Sequence, residues 1–188
     1  MTKIITSIIK HCIFIGILSC LIPIISCKDD YDTYIEDISI SSGDFSGSKI
    51  ETFNDYSIPT IKMSAFVISG YFITSKLPEN DFRSQYFHLN PALEYIKVMV
   101  KENEENEAKD VSSAFKSLPK NLFGRIPVNV GSNDLYHLDP LKTLRYERGF
   151  DIALRDSMPE GKNVFYVVGV FDDDSEITSN EISVILTK

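Results

Sequence analysis

Residues 163–171 read NVFYVVGVF, a run in which nearly every side chain is apolar. The run is short and rich in β-branched and aromatic residues, so it predicts a central strand that is covered on both faces. Residues 172–180 (DDDSEITSN) are turn formers and carboxylates, and residues 182–187 (ISVILT) alternate as a final strand. We therefore expect these two strands to pair, with Val168 and Val184 near the core.

The segment before this pair continues the pattern. Residues 157–162 (SMPEGK) predict a tight turn, because proline and glycine set its backbone angles. Residues 150–154 alternate between apolar side chains and polar ones such as Asp151. Residues 149–187 are thus predicted to form three consecutive antiparallel strands.

Two earlier stretches also alternate with a period of two. In residues 61–73 the odd positions are mostly apolar while Lys62 faces the other way, which predicts one long strand with a single buried face. Gly70 indicates a bend or bulge within it. Residues 93–101 predict another strand whose inward side chains are Ile96, Val98 and Val100.

The last forty residues carry a resemblance. Residues 166–171 (YVVGVF), followed by Ser179, Asn180 and the strand at 182–184, resemble the end of immunoglobulin-like and fibronectin type III-like domains. The resemblance implies that Ser179 and Asn180 tie the loop to the sheet through side-chain hydrogen bonds. The predicted fold class is therefore mainly β, an antiparallel immunoglobulin-like β-sandwich of about seven strands.

The middle of the chain, residues 102–146, is less regular. It opens with the acidic run at 102–107 (ENEENE), and residues 108–118 show a helical pattern that ends at Pro119. Residues 126–130 suggest a short strand, and residues 141–146 a helical turn or an irregular segment. We interpret this part as an irregular, partly helical excursion on the rim of the sandwich, where binding functions tend to lie.

The first 26 residues predict a signal peptide. Lys3 and Lys10 give a basic start, and residues 12–26 are an apolar run shorter than a membrane-spanning helix requires. The stretch that ends at Cys27, IISC, resembles the lipobox of bacterial lipoproteins. The resemblance implies that Cys27 becomes the first residue of the mature chain and carries fatty acyl groups such as palmitate. Cys20 ends a similar stretch, ILSC (residues 17–20), and is the alternative lipidation site.

The residues after Cys27 bear on localisation. Residues 28–30 (KDD) resemble the export signal of some surface-exposed outer-membrane lipoproteins. We predict that residues 27–34 form the lipidated cysteine and a tether, and that residues 35–188 form a single β-sandwich domain. The expected location is the outer membrane, lipid-anchored at the cell surface, with the periplasmic face as the alternative.

Charge and cysteine content exclude several classes of partner. Removing residues 1–26 leaves 162 residues with 17 basic and 27 acidic side chains, a net charge of −10. Such a chain is a poor match for nucleic acid or for anionic lipid headgroups. Cys12 and Cys20 lie in the removed segment, so packing without disulfides must stabilise the domain.

Metal-ligating residues are sparse. A zinc site in the mature chain would need both His88 and His137, which share no ligand-like spacing. Asp172, Asp174 and Glu176 are a candidate calcium set, because calcium prefers carboxylate oxygens, but the glycine of a calcium-binding loop is missing. A solvated loop is the favoured interpretation, and no cofactor is predicted.

The sequence also lacks the motifs of nucleophilic catalysis. No Gly-x-Ser-x-Gly elbow and no phosphate-binding glycine loop are present, although His137 lies two residues before Asp139. We therefore predict that the protein is not an enzyme. The rival hypothesis is a glycan-active envelope hydrolase that uses a pair of unrecognised carboxylates.

Binding is the remaining functional class. The chain has no tryptophan but nine tyrosines, and Tyr136 and Tyr146 lie in the irregular middle. Exposed aromatic rings form binding platforms, so these two are candidates for an interaction surface, although most tyrosines serve sheet packing. The predicted partner is an unknown envelope protein or glycan, in addition to the membrane.

Overall fold

Thirteen strands account for most of the described chain. The computed structural model describes residues 31–46, 49–53, 58–75, 87–102, 107–119, 125–133, 138–144 and 149–188. The strands are β1 Tyr31–Thr33, β2 Ile35–Ser46, β3 Lys49–Thr52, β4 Thr60–Lys62, β5 Phe66–Thr74, β6 Phe87–Lys101, β7 Lys109–Asp110, β8 Phe115–Ser117, β9 Leu141–Leu144, β10 Gly149–Leu154, β11 Gly161–Phe171, β12 Glu176–Thr178 and β13 Ile182–Thr187. Short 3-10 turns occupy Met63–Ala65 and Ser112–Ala114.

The strands form two sheets, as a β-sandwich requires. Sheet A has eight strands in the order β1-β6-β11-β13-β4, with β12 beside β11 and with β7 and β9 beside β6. Sheet B has five strands in the order β3-β2-β5-β10-β8. Pairing is antiparallel except for β1 with β6 and β13 with β4. The prediction of a mainly β fold built from two sheets is confirmed.

Strand β11 is the central strand that its apolar sequence predicts. It pairs with β6 on one side and with β13 and β12 on the other. Both of its faces are buried, and the pairing of β11 with β13 is confirmed. Val184 is fully buried in the core. Val168 is also buried, but alternation with the core residues Phe165 and Val167 places it on the opposite face of sheet A.

Phenylalanine rings fill the centre of the sandwich in a chain that has no tryptophan. The Phe66 ring lies 5.1 Å from Phe165 and 6.1 Å from Phe115, between ring centroids. These rings come from β5, β8 and β11, so the cluster joins the two sheets. A second pair, Phe72 and Phe150, has centroids 5.0 Å apart. Each aromatic pair of this kind adds about 0.5–1.5 kcal/mol beyond the area that it buries.

The prediction of one long strand over residues 61–73 is wrong. The 3-10 turn at Met63–Ala65 interrupts it, so that β4 pairs with β13 in sheet A while β5 pairs with β2 and β10 in sheet B. The turn also changes which positions face inward. Phe72 is buried, whereas Tyr71 and Ile73 are exposed.

Gly70 does not form the bulge that the sequence suggested. It pairs in register with Ile40 on one side and with Phe150 on the other. A Cβ atom at Gly70 would lie 2.1 Å from Cζ of the Phe150 ring. The glycine therefore makes room for an aromatic ring that packs directly against the backbone of β5.

The three strands of residues 149–187 are not all neighbours. Strand β10 lies in sheet B, between β5 and β8, while β11 and β13 pair in sheet A. The chain thus crosses from one sheet to the other through the turn at residues 155–160. Asp151, expected to face solvent, is only 1% exposed.

The middle excursion is built mostly of strands and extended segments. Residues 108–118, predicted to be helical, form β7, one 3-10 turn and β8. Buried Phe115 begins β8, and the Ser112 hydroxyl accepts a hydrogen bond from the amide of Val98 at 2.8 Å. Residues 141–144 are strand β9 rather than a helical turn. Contacts with the sheets outweigh the local helical pattern here.

Residues 125–130 connect the two sheets. Arg125 forms a β-bridge with Gly149 of sheet B, and Val130 forms one with Ile96 of sheet A. The end of this segment, around Val130, lies along β6, as do β7 and β9. Short segments of this kind protect a long strand from unwanted pairing with another chain.

Side-chain hydrogen bonds tie the loop before β13 to the sheet, as the resemblance implied, and they reach both sheets. The Ser179 hydroxyl accepts a hydrogen bond from the amide of Val167 at 2.9 Å, within sheet A. The Asn180 side chain accepts from the amide of Ile40 at 2.7 Å and donates to the carbonyl of Ile40 at 3.0 Å, in sheet B. This confirms the predicted roles of Ser179 and Asn180.

The N-terminal part of the domain begins earlier than expected. Residues 27–34 were predicted to be a tether, but Tyr31–Thr33 pair in parallel with residues 87–89 and Thr33 is buried. The predicted signal peptide and the two candidate lipidation sites, Cys20 and Cys27, lie outside the described residues. Within the described ranges, no helix is long and apolar enough to cross a membrane.

Candidate functional site

The three predicted calcium ligands, Asp172, Asp174 and Glu176, have separate structural roles. The Asp172 carboxylate accepts a hydrogen bond from the amide of Ala92 at 3.0 Å, and Glu176 forms an ion pair with Lys97 at 2.6 Å. Asp174 has a positive φ of 64° in the turn between β11 and β12. Nowhere in the described ranges do three or more histidine, cysteine, aspartate or glutamate side chains converge as a metal site would require.

The same turn shifts the pKa of two side chains. Hydrogen bonds from Ser175 to the Asp173 carboxylate lower the pKa of that group. The hydrogen bond from Lys97 to Glu176 raises the pKa of Lys97. Both effects stabilise the charged form of a side chain, Asp173 within the β11–β12 turn and Lys97 where β6 is linked to β12.

The other candidates from the sequence fall mostly outside the described residues. Tyr136, Tyr146 and His137 are all outside them, whereas His88 is half-buried in β6.

A cavity of about 210 Å³ lies where the 126–129 segment meets β6 and the start of β9. Its described lining residues come from these three parts of the chain. They are Leu93, Glu94, Ile126, Pro127, Val128, Asn129, Leu138, Asp139 and Leu141. Most are apolar, with a few polar groups, which is the usual composition of a ligand-binding pocket.

Asn129 is the central polar residue of this wall. It is 3% exposed, and its side-chain nitrogen donates hydrogen bonds to the carbonyls of Glu94 and Leu138, both at 3.0 Å. Because both partners are acceptors, they fix which end of the carboxamide is the nitrogen. Oδ1 of Asn129 is buried and has no hydrogen-bond partner among the described residues.

The backbone holds Asn129 in place. The Ile96 amide donates to the carbonyl of Asn129 at 2.9 Å, and the Gly131 amide donates to the carbonyl of Ile96 at 2.7 Å. Gly131 has a φ of 73°, which favours glycine at the point where the chain turns away. The amide of Val128 donates to the Ser117 hydroxyl at 3.0 Å. The carboxamide of Asn129 is therefore rigidly positioned from both sides of the segment.

The cavity has a negative electrostatic character. Glu94 and Asp139 are acidic, and none of the described lining residues is basic or aromatic. Asp139 is exposed and Glu94 is half-buried, so both lie near solvent. The site thus combines apolar walls, a buried acceptor and two nearby carboxylates.

A second polar cluster lies on sheet B, around Asp151. The Ser69 hydroxyl donates to Asp151 at 2.7 Å, and Nε of Arg125 lies 3.7 Å from the other carboxylate oxygen. Arg125 also donates to the carbonyl of Gly70 at 3.0 Å, and its guanidinium crosses Gly149. This cluster joins β5, β10 and the 125–130 segment, so its contacts account for it as a structural network.

Sequence reasoning missed both Asn129 and Asp151. The available signal was a polar residue within an apolar stretch: Asn129 stands between two valines, and Asp151 stands within β10. Such residues are buried only when they make hydrogen bonds, so they mark polar contacts inside the fold.

Comparison of the chain with known protein families, with curated proteins and with solved structures found no match.

Proposed function

We propose that this protein is a membrane-anchored, cell-surface lipoprotein that acts as a non-catalytic binding module. The observation that carries the binding role is the cavity beside β6, which has mostly apolar walls and two acidic residues, Glu94 and Asp139, in its described lining. The lipid anchor rests on the lipobox resemblance at Cys27.

The geometry of the cavity favours binding over hydrolysis. A glycosidase needs a general acid whose pKa is raised by burial, and a cleft that spans a bond between two sugars. Asp139 is exposed and the cavity volume is about 210 Å³, below the range for drug-sized ligands. The alternative remains an envelope hydrolase acting on glycans, with Glu94 and Asp139 as the first pair to test.

Incubation with isolated envelope glycans separates these two functions. We expect a captured glycan or protein to be recovered with its mass unchanged in mass spectrometry. The alternative is established if the wild-type protein releases a shorter glycan and the Glu94→Gln variant does not. That result would show that the protein is a hydrolase. Asp156→Asn changes an exposed acid that is not among the described lining residues and serves as the control.

The anchor is tested by metabolic labelling with a fatty acid. We expect the label to be lost in Cys27→Ala and kept in Cys20→Ala. The reverse result would move the lipidation site to Cys20. Absence of the fatty-acid label from the wild-type protein would exclude the anchor.

Surface display is a separate part of the proposal. Protease added to intact cells should remove the domain from the outer membrane, because the KDD sequence after Cys27 resembles a surface-export signal. Full protection in intact cells, with cleavage after permeabilisation, would place the domain on the periplasmic face.

We also propose that the sandwich is related to immunoglobulin-like domains. The hydrogen bonds of Ser179 and Asn180 around β13 support this relation. The parallel pairs at β1 and β4 distinguish the domain from a plain immunoglobulin module. A crystal structure compared strand by strand with such domains would test the relation, and a different strand order around β11 would exclude it.

A further inference from the structure

We propose that three exposed side chains of the domain, Tyr34, Tyr71 and Ile73, dock on the surface of a zwitterionic lipid bilayer. We call these three residues the anchor-side patch. This inference rests on the proposed function, and specifically on its lipid anchor at Cys27, because it adds a second contact between the domain and the same membrane. Anchor and patch together fix which side of the domain faces the bilayer.

The patch is a strip on the outer face of sheet B. Tyr71 and Ile73 are two residues apart on β5, so their exposed side chains point to the same face, away from the core. Tyr34 lies beside them, because its carbonyl accepts a hydrogen bond from the amide of Ser75 at 3.1 Å. Ile35 is buried in the core, so the ring of Tyr34 before it faces outward. Tyr34 and Ile73 are thus diagonal neighbours across the two strands, within reach of an aromatic ring.

The chemistry of the patch suits the boundary between headgroups and acyl chains. Tyr34 is 51% exposed, Tyr71 46% and Ile73 40%. Large apolar side chains that gather on a protein surface mark an interaction site. Tyrosine has an apolar ring and a polar hydroxyl, and for this reason it is enriched where a membrane meets water.

The anchor lies next to the patch. Only residues 28–30 separate Cys27 from the start of β1 at Tyr31, and four Cα-to-Cα steps span at most roughly 14 Å. Tyr34 follows the end of β1 directly. Strand β5 ends beside the start of β2, so the other two patch residues lie at this same end of sheet B. A bilayer that holds the acyl chains of Cys27 is therefore within reach of the patch.

The charges beside the patch select the type of lipid. Three exposed acidic residues lie close to Tyr34 along the chain: Asp32, Glu36 and Asp37. Arg125 donates to the carbonyl of Gly70 in β5, but it is already paired with the buried Asp151. Anionic headgroups are repelled by the three carboxylates, whereas the ammonium group of a zwitterionic phospholipid attracts them. The occupant is therefore a zwitterionic surface rather than an anionic one.

The test uses the lipidated full-length mature chain, reconstituted in phosphatidylcholine liposomes. Cys27 is the only cysteine from residue 27 onward, so one added cysteine can be labelled with a fluorophore. The label is placed on Ile73→Cys and, as a matched control, on Phe45→Cys. Phe45 is also 40% exposed, but it lies eight residues further along β2 than Asp37, the partner of Ile73. This separation is roughly 27 Å.

Quenching by a lipid that carries a nitroxide on its acyl chain reports insertion. We expect the label on Ile73→Cys to be quenched at least about twofold more strongly than the label on Phe45→Cys, because a docked apolar face reaches the acyl boundary. Replacing a third of the phosphatidylcholine by phosphatidylglycerol should weaken this quenching at low ionic strength, and added salt should restore it. Stronger quenching with the anionic lipid would overturn the choice of a zwitterionic surface.

Removal of the two rings tests the patch itself. Tyr34→Ser combined with Tyr71→Ser should reduce the quenching of the label on Ile73→Cys to the level of the Phe45→Cys control, because less apolar surface enters the bilayer. Phe45→Ser combined with Phe53→Ser also removes two exposed rings, but further along sheet B, and should leave that quenching unchanged. Circular dichroism should show the same β spectrum for both double variants.

Three results would overturn the docking proposal. They are equal quenching at the two labelled positions, quenching that survives the loss of both rings, and shielding of the label in detergent that rises with protein concentration. The last result would assign the patch to a second copy of the chain. Mass spectrometry of the same preparation separates these failures from failure of the anchor. An acylated chain with an unquenched label overturns the patch alone, whereas a chain without acyl groups overturns the proposed anchor and this inference with it.

Discussion

Single residues in this domain act mainly by making space or by satisfying buried polar groups. Gly70 is an example of the first, because the ring of Phe150 occupies the position that a side chain would take. Ser179 is an example of the second, because its hydroxyl is the acceptor for the amide of Val167. The first effect depends on a side chain eighty residues away in the sequence, and the second on the backbone of the preceding strand, β11.

Gly70→Ala should destabilise the domain by about 1–3 kcal/mol, since the new methyl group overlaps the Phe150 ring. Chemical denaturation of the full chain in detergent measures this. In a double-mutant cycle, Phe150→Leu should absorb part of the cost, because it removes the overlapping ring. Strictly additive effects of the two substitutions would show that the glycine matters for its backbone alone.

Ser179→Ala should cost about 1–3 kcal/mol, because it leaves the amide of Val167 without its acceptor inside the sheet. Ser175→Ala is the matched control, since the Ser175 hydroxyl bonds to an exposed carboxylate. Its effect should be much smaller in the same denaturation assay. Equal losses in the two variants would contradict the role given to Ser179.

Short sequence patterns predicted the structural roles of some of these residues. The roles of Ser179 and Asn180 followed from a resemblance over a short local stretch. Those of Gly70 and Asn129 were not predictable, because they depend on Phe150, Glu94 and Leu138, whose proximity only the folded chain creates.

At the level of elements, alternation of apolar residues predicted strands well but not their sheets. β11 and β13 are where the pattern placed them, whereas β6 covers the predicted residues 93–101 but begins at Phe87. The change of sheet between β4 and β5 was missed, because the three-residue turn at Met63–Ala65 carries no proline or glycine. The helical prediction for residues 108–118 failed because pairing with β6 and β10 decides the conformation there.

The Lys97–Glu176 pair predicts how the β11–β12 hairpin responds to pH. The pKa of Lys97 is raised above 10.5 in the folded protein, mainly by the hydrogen bond to Glu176. A raised lysine pKa stabilises the fold below the unfolded pKa, and this stabilisation is lost as pH rises through the folded value.

Glu176→Gln should therefore lower stability by less than about 1 kcal/mol at neutral pH, because the pair is partly exposed. The difference from wild type should vanish above the folded pKa of Lys97, as measured by thermal denaturation at a series of pH values. A difference that persists at high pH would assign the effect to packing.

At the scale of the whole molecule, the start of β1 fixes where the domain stands relative to an anchor at Cys27. Only residues 28–30 separate that cysteine from β1. Four Cα-to-Cα steps span at most roughly 14 Å, so the end of the domain that contains the start of β1 should lie against the membrane surface. The turn at residues 157–160, near the far end of β11, should point away from it.

A spacer tests this placement. A fluorophore on Glu160→Cys should be weakly quenched by a headgroup quencher in liposomes that carry the full lipidated chain. Ten glycine and serine residues inserted between Asp29 and Asp30 should lower the quenching further, because such a spacer adds roughly 17 Å of reach. Strong quenching in the parent protein would show that the domain lies flat on the membrane.

The parallel pairing of β1 with β6 also has a mechanical consequence. If a partner held in the cavity is pulled away from the cell, tension between the lipid and the partner enters the domain at Tyr31 and leaves through the region around Glu94. Strand β6 contributes residues to both places, since it pairs with β1 at residues 87–89 and lines the cavity at Leu93 and Glu94. The force path is therefore short, and it leaves β13 and the sheet B hairpin of β2 and β3 outside the strained part of the molecule.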